Sequence, residues 1–97
     1  MELTKRMVAK CIKNHSKELE DGAKMVMRAQ KLEELGKYEQ AIKRYEKAEK
    51  MFKSAYDIAV LIKDKAYQAE AKVLMQQVDI QKRNAIVTDF YRGGIDN

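Results

Sequence analysis

From position 41 onward the apolar residues of this chain recur in alternating steps of four and three: Ala41, Tyr45, Ala48, Phe52, Ala55, Ala59 and Ile62. That rhythm lies close to the turn of an α-helix, so a single helix face carries the whole set. Small and large side chains alternate along the seam, which lets a neighbouring helix come close. A strand turns successive side chains to opposite faces and cannot gather these residues on one side. With no proline and only 4 glycines, the chain also lacks the residues that punctuate an all-β domain. Its wealth of Ala, Lys, Glu, Met and Leu favours helix throughout. The 97 residues suffice for one domain around one core.

Ahead of the seam, Leu3, Met7, Val8, Cys11, Ile12 and Leu19 form a first amphipathic stripe. Asp21-Gly22 interrupts it, and Met25, Val26, Ala29 and Leu32 resume it. A glycine inside a helix costs roughly 1 kcal/mol and permits a kink without forcing a stop. The segment 2–35 is therefore one long helix or two collinear ones, closed by Gly36 in the left-handed cap position. Asp64 is suited to cap a third helix. Against this, the four-three seam runs on through Ala66, Ala69 and Val73 with no further glycine before Gly93. The expected fold is all-α: an antiparallel three-helix bundle with an N-terminal helical extension. The alternative is an unbroken helix from 38 to 91, giving a long helical hairpin that dimerises as a coiled coil. Within a single domain spanning 1–97, residues 2–20 form the amphipathic N-terminal helix, 22–91 the bundle and 93–97 a frayed tail.

The stretch from Ala29 to Ala48, with Gly36, Tyr38, Ala41, Ile42 and Tyr45 at its centre, resembles the first hairpin of a microtubule-interacting and trafficking (MIT) domain. There a helix leads into Gly-x-Tyr-x-x-Ala-hydrophobic-x-x-Tyr. The Gly-x-Tyr-x-x-Ala core is also similar to one tetratricopeptide repeat, but an array needs several copies and only one occurs here. The MIT resemblance covers about 22–90 and implies a three-helix bundle. It further implies an adaptor that holds the tails of membrane-remodelling ESCRT subunits in grooves beside its third helix.

Net charge is +5 and is spread along the sequence, whereas nucleic-acid binders usually concentrate it. Cys11 is the only cysteine, so no internal disulfide forms. Neither a signal-peptide core nor an apolar run of membrane-spanning length is present in the sequence, and a cytoplasmic location is expected. There is no glycine-rich phosphate loop, no nucleophile–histidine pairing and no metal-ligand motif. No catalytic residue, cofactor or metal is therefore expected, and His15 reads as a packing residue at the boundary of the first stripe.

The third segment carries two apolar stripes: Ala66, Ala69, Val73, Ile80 and Val87, and Tyr67, Ala71, Leu74, Val78 and Ala85. One neighbour needs only one stripe. The second, Tyr67/Ala71/Leu74/Val78/Ala85, is the candidate groove for a partner helix, for the N-terminal helix or for a second copy of the chain. Arg6, Lys10, Lys13 and Lys17 line the polar face of the first helix as a candidate electrostatic contact. The expected function is non-catalytic protein–protein binding, as a peptide-tail adaptor or a self-associating scaffold. A basic module for nucleic acid or anionic membrane stands as the rival, and a small regulator or inhibitor of a larger protein as a third possibility.

Overall fold

The computed structural model describes the backbone of residues 3–96 and the side chains of residues 3–93. It contains three α-helices: α1 (Lys5–Glu34), α2 (Tyr38–Leu61) and α3 (Lys65–Asp96). Three-residue connections force successive helices antiparallel, and the bundle is a rod of 59 × 17 × 17 Å. The shortest helix, α2, lies in the middle. Both α1 and α3 pack along it but approach each other directly at few points.

Each boundary has a local cause. Thr4 Oγ1 accepts the Met7 N–H at 3.2 Å and starts α1. At its end the Gly36 N–H donates to the Glu33 carbonyl (2.9 Å) and the Lys37 N–H to that of Leu32 (2.8 Å), with Gly36 at φ +76°. This is a Schellman closure. The end of α2 repeats it: Lys63 N–H to Val60 (3.1 Å) and Asp64 N–H to Ala59 (3.0 Å). Here the left-handed residue is Lys63, at φ 57°. Asp64 Oδ1 then accepts the Tyr67 N–H at 2.9 Å and restarts the chain as α3. The turn at Asp64 is thus real, and the unbroken helix over 38–91 does not form.

All of Ala41, Tyr45, Ala48, Phe52, Ala55 and Ala59 are buried, as the seam predicts. From α1 they receive His15, Gly22, Met25 and Ala29, and from α3 Ala71, Val78 and Ala85. Gly22 marks no boundary, because α1 is continuous across it. A β-carbon there would stand 2.4 Å from Phe52 Cε1, so the glycine is the seat of the Phe52 ring. Residues 5–20 form the first half of the same continuous α1, and His15 is their one buried side chain. His15 is 1% exposed and stacks on Tyr67 with ring centroids 4.6 Å apart. At the other end α3 does not stop at Gly93 but runs to Asp96, and Asn97 lies outside the described residues.

Charge pairing also departs from helix spacing alone, which favours Glu39–Lys43, Glu46–Lys50 and Glu49–Lys53. Glu49 instead meets Lys82 of α3, with Oε1 to Nζ at 2.7 Å, and Lys53 meets Asp57 at 2.8 Å. Glu49 and Lys82 are mostly covered by the α2–α3 contact, which favours the cross-helix partner. The close Glu49 carboxylate holds the Lys82 ammonium above its usual range.

Candidate functional site

Because α2 presents one narrow seam, α1 and α3 each turn a stripe toward it and leave their facing sides apart. The result is a cleft of about 320 Å³ between α1 and α3. Phe52 forms its floor. Ala23, Val26, Met27 and Gln30 make the α1 wall, and Leu74, Gln77, Val78 and Gln81 the α3 wall. No ionisable side chain lines it. The apolar surface continues over the α1 rim, where Met27 is 68% exposed.

The Tyr67/Ala71/Leu74/Val78/Ala85 stripe is not an open groove: it packs inside the bundle, with Tyr67 on the N-terminal part of α1. Ala71, Val78 and Ala85 are buried in the bundle. Tyr67 is half-buried against His15, and Leu74 is half-buried at the core edge. The stripe left open is the other one: Ala66 and Ala69 are exposed, Val73 is 50% exposed and Val87 51%. Size decides the choice. The Ala71/Val78/Ala85 face is slimmer than Val73/Ile80/Val87 and comes closer to a helix that already projects Tyr45 and Phe52. Of the five expected groove residues, Leu74 and Val78 do line the cleft, as its wall. Phe52, Met27 and the three glutamines were missed. Gln77 and Gln81, one turn apart beside Leu74 and Val78, are the sequence signal that this side of α3 is semi-polar.

Arg6, Lys10, Lys13 and Lys17 are all exposed on the outer face of α1, away from the cleft. A wider trough of about 500 Å³ separates α2 from α3, but Met75 is its one apolar residue among Glu49, Lys50, Lys53, Lys72, Gln76 and Asp79. Near the α1–α2 turn, buried Tyr45 donates its hydroxyl to Glu33 Oε2 at 3.0 Å. Burial, reinforced by that carboxylate, raises the phenol well above its ordinary range. The pair ties α1 to α2 exactly where the Gly36 turn must be held, so its role is structural.

Among the described residues no three His, Cys, Asp or Glu side chains are grouped to hold a metal ion. No described helix is long and apolar enough to cross a membrane. No family model, curated protein or solved structure matches this chain.

Proposed function

We propose that this chain is a non-catalytic interaction module that takes an apolar helix of another protein into the α1/α3 cleft. The carrying observation is the cleft itself: a phenyl floor at Phe52, aliphatic walls at Val26, Leu74 and Val78, and exposed Met27 and Gln77 lining it from α1 and α3. A helix laid there would be the fourth of a bundle, burying its own stripe at i, i+3, i+4 and i+7. Burial of apolar surface contributes about 25 cal/mol per Å², which rewards filling such a cleft. Gln30, Gln77 and Gln81 each donate and accept hydrogen bonds, so they suit polar groups at the edge of the incoming helix. Tail binding beside the third helix is also what the resemblance around Gly36–Tyr45 implies.

The test is a selection of displayed 16-residue peptides on the intact chain, followed by amide chemical-shift mapping. Enriched peptides should carry a helical apolar stripe and perturb residues around Met27, Phe52 and Gln77. Met27→Asp and Gln77→Asp alter exposed side chains of the lining, so the fold should survive while binding falls at least tenfold. Peptides that map elsewhere, or that bind both variants unchanged, would refute the cleft. A dimer mass by light scattering that Met27→Asp converts to monomer would identify the occupant as a second copy of the chain.

A further inference from the structure

Continuity of α1 through Gly22 has an electrostatic consequence. Arg6, Lys10, Lys13 and Lys17 no longer belong to a separate short helix, and Arg28 and Lys31 extend the same line. At about 100° per residue the six fall within a sector of about 60°, on the far side of α1 from Gly22 and Ala29. All six are exposed, and among the described residues none lies within ion-pair distance of a carboxylate. Lys24, on the same line, is the member matched by an acid, Glu20 at 3.6 Å. At the upper end Arg44 of α2 joins Arg28 and Lys31 around one shallow depression. Charge that looks dispersed in the sequence is therefore gathered into one ridge by the fold.

We infer that this ridge binds the phosphate backbone of double-stranded nucleic acid, without sequence preference. From Arg6 to Lys31 it spans about 38 Å at 1.5 Å per residue, close to one duplex turn of about 34–36 Å. A straight row of unpaired cations displaces condensed counterions from phosphates, and that release drives association. A bilayer is the less suitable anion. A membrane-surface helix inserts its apolar face, whereas α1 turns its own toward α2, burying His15, Gly22, Met25 and Ala29. The ridge is centred about 120° around α1 from the cleft wall, by about 100° per residue, and the inference does not rest on the function proposed for the cleft.

Fluorescence anisotropy of a labelled 20-base-pair duplex, titrated with the full chain between 50 and 200 mM salt, tests the inference. With six phosphate contacts the affinity should fall about 10³-fold over that range, at a log–log slope near −5. A Lys10/Lys13/Lys17→Glu variant should keep the helical circular dichroism and melting temperature, lose at least tenfold in affinity and show a shallower slope. A charge-matched Lys50/Lys53/Lys72→Glu variant, altered on the α2/α3 side, should bind several-fold better than the ridge variant. Absence of binding at 50 mM salt, a slope near zero, or equal losses in the two triple variants would overturn the proposal. So would tighter, salt-resistant binding to vesicles containing phosphatidylserine, which would make the ridge a membrane contact.

Discussion

Replacing Gly22 with alanine sets two opposed effects against each other at one atom. In an exposed helix interior the change gains about 0.8–1 kcal/mol, because glycine has more backbone freedom to lose on folding. Here the new methyl would stand 2.4, 2.8 and 2.9 Å from Phe52 Cε1, Cδ1 and Cζ. Carbon atoms pack best at about 3.5–4.0 Å, so the ring must withdraw by roughly 1 Å. Phe52 is 2% exposed and already fills its place between α1 and α3. Overpacking of this kind costs about 1–3 kcal/mol. The net expectation is destabilisation by about 1 kcal/mol, a fall in Tm of about 4–8 °C for a domain of this size. Phe52→Leu alone leaves a cavity and also destabilises. In combination the two should recover stability relative to their sum, with a coupling of about 0.5–3 kcal/mol. Urea unfolding followed by circular dichroism on the four proteins measures that coupling. If Gly22→Ala raised stability by its full helix-propensity gain, or if the coupling vanished, the ring would not be seated on Gly22. Since Phe52 also floors the cleft, the single alanine variant should bind cleft peptides more weakly than wild type, and Phe52→Leu in the same background should restore part of that loss.

The α2–α3 turn offers a gain and a loss at adjacent positions. Lys63→Gly should stabilise by roughly 0.5–1 kcal/mol, because a left-handed conformation strains any residue with a β-carbon, while Asp64→Ala should cost about 1 kcal/mol through the lost cap; thermal melts that rank the two alike would refute the turn. Ala48→Leu should overpack the α1–α2–α3 seam and cost about 1–3 kcal/mol, whereas exposed Lys47→Ala should change stability by less than about 0.5 kcal/mol, and equal tolerance in urea unfolding would mean the wrong face is buried. Tyr45 keeps its proton in the folded chain to higher pH than in the unfolded chain, so its contribution is fully present below the unfolded phenol value near 10 and is lost as pH rises above it. Wild-type stability should therefore fall relative to Tyr45→Phe by up to about 1.4 kcal/mol per pH unit above pH 10, and parallel curves would show that Tyr45 is not held neutral by burial.

Most of the fold was legible because it rests on short-range rules. The four-three seam over Ala41–Ala59, the glycine at position 36 and the cap at Asp64 are local signals, and each does in the structure what its chemistry dictates. Lys63 shows where local reading weakens. It closes α2 in the geometry that Gly36 uses to close α1, but a lysine carries no mark of a left-handed conformation, so an unbroken helix remained open. Gly22 shows a second gap: the same residue type serves a kink or a close approach, and only the arrival of Phe52 from a helix thirty residues on distinguishes them. His15 looked like a boundary residue because its burial comes from Tyr67, fifty-two positions away.

The site was less legible than the fold for the same reason. Sequence periodicity established that α3 has two apolar stripes, but two stripes of similar hydrophobicity do not say which one meets α2. Steric fit against Tyr45 and Phe52 turned Ala71, Val78 and Ala85 inward and left Val73, Ile80 and Val87 outside. The cleft has no sequence signature of its own, since its residues come from three helices and converge only when α1 and α3 stand apart on either side of α2. The basic ridge needed the tertiary structure in a different sense. Arg6 through Lys17 are visible as one face of a helix, but their union with Arg28 and Lys31 depends on α1 continuing through Gly22, which the sequence left open between one helix and two and the packed structure shows as one.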